Sequence, residues 1–95
     1  MEIGRIVGSV VATTRNAGLD GRALRLVRPT TETDEPHGEA FVAVDRVGAG
    51  VDEVVLVARG SAARIAVGAE VEVDAAIVAI VDHIDVGGET TYRKA

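Results

Sequence analysis

Apolar residues in this chain fall into short runs, each bounded by glycine, proline or charge. Glu2–Thr13 is the first candidate strand. Ile6, Val10 and Ala12 share one face with Gly8, and Ile3, Arg5, Val7, Ser9 and Val11 the other. Gly4 and Gly8 predict a bend or bulge within it. Asn16–Gly21 carries a turn signal. Ala23–Arg28 reads as a second strand that Pro29 ends, because proline cannot donate to a ladder. Thr30–Gly38 is polar and acidic, the pattern of an exposed, mobile loop. Ala40–Asp45 and Glu53–Arg59 are the third and fourth strands. Gly60–Val67 reads as one or two helical turns with Ser61 able to cap them. Val71–Val86, centred on Ala75–Ile84, is the fifth strand; it is apolar on both faces and so covered on both sides. Gly87-Gly88 turns the chain, Thr90–Arg93 can add a short edge strand, and the last residues fray.

This pattern predicts an all-β domain with one short helix. Closure into a small five-stranded OB-like barrel is the simplest way to remove strand edges. The 95 residues fit a single domain spanning 1–95, with no internal repeat. A chain of this size buries only about 60–65% of its unfolded surface, so assembly is a plausible source of further stability.

Composition sharpens the picture. Apolar residues make up 47% of the chain but aromatics only 2%, so the core must be aliphatic. Seventeen Val and six Ile favour strands, because β-branched side chains pack well on a pleated surface. The absence of cysteine excludes disulfides, thiolate metal sites and cysteine nucleophiles, and favours an intracellular address over a secreted one. The start, Met1-Glu2-Ile3-Gly4-Arg5, lacks signal-peptide character, and no apolar run reaches membrane-spanning length. A net charge of −5 opposes nonspecific nucleic-acid binding.

No motif offers chemistry. Gly48-Ala49-Gly50 opens like a dinucleotide fingerprint, but Glu53 stands where the third glycine belongs and a strand follows instead of a helix. It reads as a tight loop where two backbones approach. Gly60-Ser61-Ala62 lacks the Gly-x-Ser-x-Gly pattern of a nucleophile elbow. His37 and His83 lack ligand-type spacing. Asp82 lies among aliphatics and calls for a partner, with Arg64, Arg5 and Arg59 as candidates. Asp45 and Asp74, each beside an apolar run, read the same way. Glu32, Asp34, Glu35 and Glu39 form a solvated charge run. No catalytic residue, cofactor site or metal ligand is expected.

In order along the chain, Ile3–Thr13, Leu24–Val27, Ala43-Val44-Asp45, Val47–Glu53, Val55-Leu56-Val57, Gly60–Arg64 and Val73–Asp82 resemble the bacterial microcompartment vertex proteins of the EutN/CcmL type. Each segment is weak alone; the ordered set is specific and covers nearly the whole chain. Glu72-Val73 departs from the common Pro before Val. The resemblance implies a five-stranded barrel assembled as a cyclic homopentamer, without catalysis, in the shell of a carboxysome or metabolosome. Five-fold units would supply curvature to a wall of hexameric and trimeric shell tiles. By the same analogy, Gly60 and Ser61 fall near the five-fold axis, lining a narrow pore. Small residues at Gly48, Ala49 and Gly50 would let backbones meet at a seam. Arg64 would make a charged contact between or within subunits, with Asp45 or Asp82 as partner. The rival reading is a stand-alone OB-like module for a small ligand or single-stranded nucleic acid, which would need stacking aromatics in a basic groove; only Phe41 and Tyr92 are available. An enzyme fits less well still.

Overall fold

A computed structural model describes residues 1–13, 19, 21–68 and 73–95. Among the described residues seven strands and one helix follow in order: β1 (Glu2–Val10), β2 (Leu24–Pro29), β3 (Phe41–Asp45), β4 (Val54–Arg59), α1 (Ser61–Val67), β5 (Ala75–Ile80), β6 (His83–Val86) and β7 (Glu89–Arg93). Five of them close into a barrel, as the strand pattern predicts, with the order β1-β2-β3-β5-β4, while β6 and β7 form a separate two-stranded ribbon. Most of the expected turn at Asn16–Gly21, and the expected start of the fifth strand at Val71, lie outside the described residues.

The core is aliphatic, as composition requires. Ile6, Val27, Ala43, Ala49, Val55, Val57, Ala75 and Ile77 are buried together, with Phe41 and Ile80 packed against them. Closure comes from a short parallel contact in which Val44 faces Ala76 and Asp45 faces Ile77.

Three sequence expectations are corrected. First, β1 ends at Val10 rather than Thr13, because its partner β2 begins at Leu24, opposite Val10. Its register shifts between Ile6 and Gly8. Directly opposed residues share a face, so Ile6 joins Val27 in the core while Gly8 and Val10 lie outside with Leu26 and Leu24. The bulge at Val7 therefore separates Ile6 from the face that simple alternation assigned to it.

Second, the long fifth strand is two strands. The Val81 N–H still reaches Val54 O (2.8 Å), the first residue of β4. Beyond it the barrel has no partner to offer, and the chain leaves at Asp82. Lys94 N–H then bonds Asp82 O (2.8 Å), closing the β6–β7 ribbon. Gly87 (φ 58°) and Gly88 (φ 85°) form its two-residue turn, which requires left-handed backbone at both positions.

Third, the acidic loop is exposed but tied down. Thr31 N–H donates to Glu35 O (2.8 Å), His37 N–H to Pro29 O (2.8 Å) and the Thr91 hydroxyl to Glu32 O (2.5 Å).

Gly4 sits where β1 is squeezed between β2 and β4, opposite Pro29 and Val55. A methyl there would lie 2.5 Å from Val27 Cγ1 and 3.1 Å from Arg28 O. Val27 is fully buried and cannot withdraw. Gly4→Ala is therefore expected to lower stability by about 1–3 kcal/mol through overpacking, read as a lower thermal midpoint; an unchanged midpoint would refute the tight crossing.

Candidate functional site

The residues singled out by sequence lie in two groups, one on the loop between β3 and β4 and one around α1. Asp45 ends β3 with its side chain 1% exposed. Its Oδ1 accepts from the N–H groups of Val47 (2.9 Å) and Gly48 (3.0 Å), and its Oδ2 accepts from Arg25 Nε (3.1 Å). A buried carboxylate is tolerable only when its oxygens are filled in this way. The arrangement fixes the turn that sends Ala49 into the core. Arg25, not Arg64, is thus the arginine on Asp45 within the protomer. It was missed because β2 and β3 meet through a register that local spacing does not reveal.

Beyond Ala49 the loop runs beside β1, where β4 has not yet begun. Asp52 N–H donates to Ile6 O (2.8 Å), and Ile6 N–H donates to Glu53 O (3.0 Å). Glu53 Oε1 accepts from Gly50 N–H (2.6 Å), and its Oε2 lies 3.2 Å from Lys94 Nζ. The Gly50 hydrogen bond first, and Lys94 second, hold the Glu53 carboxyl below the usual glutamate range.

Arg5, a sequence candidate for Asp82, takes other partners. One guanidinium nitrogen donates to Asp52 O (2.7 Å) and another pairs with Asp34 (2.5 Å), while the group lies 5.5 Å from the Tyr92 ring centre. It joins the β3–β4 loop, the acidic loop and the ribbon to β1.

Around α1 the sequence expectation needs correction. Gly60, not Ser61, occupies the helix cap position, and no side chain caps it. The chain swings from β4 into α1 at φ 61°, ψ −134°, a conformation open to glycine and strained for other residues. Ser61 is the first helical residue and is exposed. Ala63 anchors the helix as its buried residue. Arg64 is exposed and makes no ion pair among the described residues.

Asp82 is also exposed, and among the described residues it has no ion pair with Arg64, Arg5 or Arg59. Arg5 engages Asp34, and Arg59 engages Glu2 (2.8 Å). The strand break at Val81 carries Asp82 off the barrel wall, so the aliphatic setting that demanded a partner does not exist. His83 is exposed, 3.5 Å from Asp85. No group of three metal-ligating side chains occurs among the described residues. Neither aromatic belongs to a stacking platform: Arg59 lies 4.2 Å over the Phe41 ring, and Arg5 covers Tyr92.

Asp45→Ala would strand two backbone N–H groups and Arg25, at an expected cost of about 2–3 kcal/mol; chemical denaturation measures it, and a loss below about 0.5 kcal/mol would refute the lock. For Glu53 the fold favours the ionised form. Its contribution is complete above the ordinary glutamate range and fades as pH falls below it. Thermal midpoints from neutral to acid pH should show a gap between wild type and Glu53→Gln that narrows on acidification. A gap that widens would reverse the sign.

The sequence pattern described as "Ethanolamine utilisation protein EutN/carboxysome" matches residues 1–82. Among curated relatives, the microcompartment shell vertex protein GrpN of Rhodospirillum rubrum is 44% identical over 86 residues, covering 90% of this chain and 97% of GrpN. The carboxysome shell vertex protein CcmL of Gloeobacter violaceus is 40% identical over 95 residues, covering 99% and 95%. Among solved structures, an ethanolamine utilization protein EutN superposes with a TM-score of 0.92 at 35% identity over the full length of both chains. The GrpN pentameric shell protein superposes with a TM-score of 0.81 at 42% identity, covering 90% of this chain and 100% of GrpN. The barrel, its helix and these likenesses agree: the chain belongs to the EutN/CcmL family of microcompartment shell proteins.

Proposed function

We propose that this protein assembles as a ring of five and caps the five-fold corners of a bacterial microcompartment shell within the cytoplasm. The observation that carries the reading is the near-complete match of chain and barrel to shell vertex proteins, one of whose solved structures is described as pentameric. Its work is geometric. A sheet of six-fold tiles lies flat, and a five-fold unit at each corner introduces the curvature that closes it. The partners are other copies of this chain and the hexameric and trimeric tiles around them. No catalytic step and no nucleic-acid partner enter this account, which agrees with the net charge of −5 and with aromatics covered by arginine.

In this ring Gly60 and Ser61 stand near the axis. The abrupt turn at Gly60 supports that placement, since it brings a helix start to the surface at Gly60, Ser61 and Ala62, all small and exposed. Gly48 and Gly50, both exposed, lie toward a subunit seam on a loop that Asp45 holds rigid, while Ala49 is buried in the protomer's own core and serves to anchor that loop. Arg64, exposed and without an ion pair among the described residues, is available for a contact between subunits.

Native mass spectrometry tests the ring. Five copies of 9.8 kDa should give a species of about 49 kDa, and a stable monomer at working concentration would overturn the proposal.

A further inference from the structure

Two surface features of the protomer fit one another. The first is a hollow of about 190 Å³ on the barrel's outer wall, bounded by β2, β3 and the approach to β5. Leu24, Val42 and Val73 give it apolar walls, and Asp74 stands among them with an exposed side chain. Val42 is 44% exposed although its neighbours on β3, Phe41 and Ala43, already face the core. β3 is therefore apolar on both faces, the pattern of a strand covered on both sides. The second feature is the outer side of α1. Ile65 is 81% exposed there, with Arg64, exposed and without an ion pair among the described residues, beside it.

A lone exposed aliphatic residue is ordinary. Here the two patches are complementary in shape and in charge: an aliphatic knob beside a cation, and an aliphatic hollow beside a carboxylate. They also share one end of the barrel, since Gly60 N–H at the head of α1 donates to Asp74 O (2.8 Å). β5 runs between them, paired with β3 on one side and β4 on the other, and α1 packs on β4 and β5. Each copy thus carries unlike patches on neighbouring flanks that meet near Gly60. Unlike patches repeated head to tail are what a closed ring uses.

We propose that Ile65 of one copy seats in the Leu24–Val42–Val73 hollow of the next, with Arg64 paired to Asp74 of the partner subunit. This rests on the ring of five and names the contact that builds it.

The test uses full-length chains by native mass spectrometry and sedimentation. Val42→Glu and Ile65→Glu change exposed positions, and each alone should leave the protein as a monomer. One variant keeps its knob and the other its hollow, so an equimolar mixture should form one-to-one dimers and no ring. Arg64→Asp should raise the protomer concentration needed for assembly about tenfold, and adding Asp74→Arg should bring most of it back. The charge pair decides the matter if either glutamate variant fails to fold. Variants that stay pentameric, a mixture without dimers, or a charge reversal without rescue would overturn this pairing while the ring itself stands. A wild-type monomer would remove both.

Discussion

A core almost without aromatic rings has to be sealed by backbone pairing, and the seal closes where β3 meets β5. Only two residue pairs span that parallel contact. Asp45 belongs to one of them, and its buried carboxylate ties the end of β3 to Arg25 on β2 and to the turn that follows. Arg46 N–H adds a bond to Ile77 O (3.3 Å) just beyond. If this corner opens, Ala43, Ala49, Ala75 and Ile77 all lose cover together. With small side chains in a close-packed interior, no bulky neighbour can swing in to fill the gap.

Around that seal the loops are organised by polar contacts rather than by apolar mass. Arg5, Glu53 and Lys94 gather the β3–β4 loop, the acidic loop and the C-terminal ribbon onto the outside of β1. Most of these groups are partly exposed, so each contact is individually modest. Their value is geometric: they present the loops and helix as fixed surfaces, which suits a component that fits against other components.

Much of this was legible in the sequence. The runs rich in Val and Ile named the five barrel strands, Gly87-Gly88 marked the ribbon turn, and the small residues of Gly60–Val67 marked the helix. What local pattern misses is pairing. The bulge at Val7 depends on which residues of β2 lie opposite, and the break after Val81 on where β4 begins. Asp45 was recognisable as a carboxylate in need of a partner, but choosing Arg25 over Arg64 requires the β2–β3 register. Asp82 misled for the converse reason: it reads as wall-bound only while the fifth strand is taken as continuous. Ser61 satisfied the composition rule for a cap, yet the turn demanded glycine's backbone freedom one residue earlier.

The ribbon has one further consequence. Apart from the short β3–β5 contact, the barrel strands are paired on both sides, whereas β6 and β7 pair only with each other. Those two short strands carry Asp85, Glu89 and Arg93 among their nine residues. Charged side chains on short edges discourage unrelated chains from adding to the sheet. A component that packs at high local concentration in a wall thus keeps this open margin brief and charged.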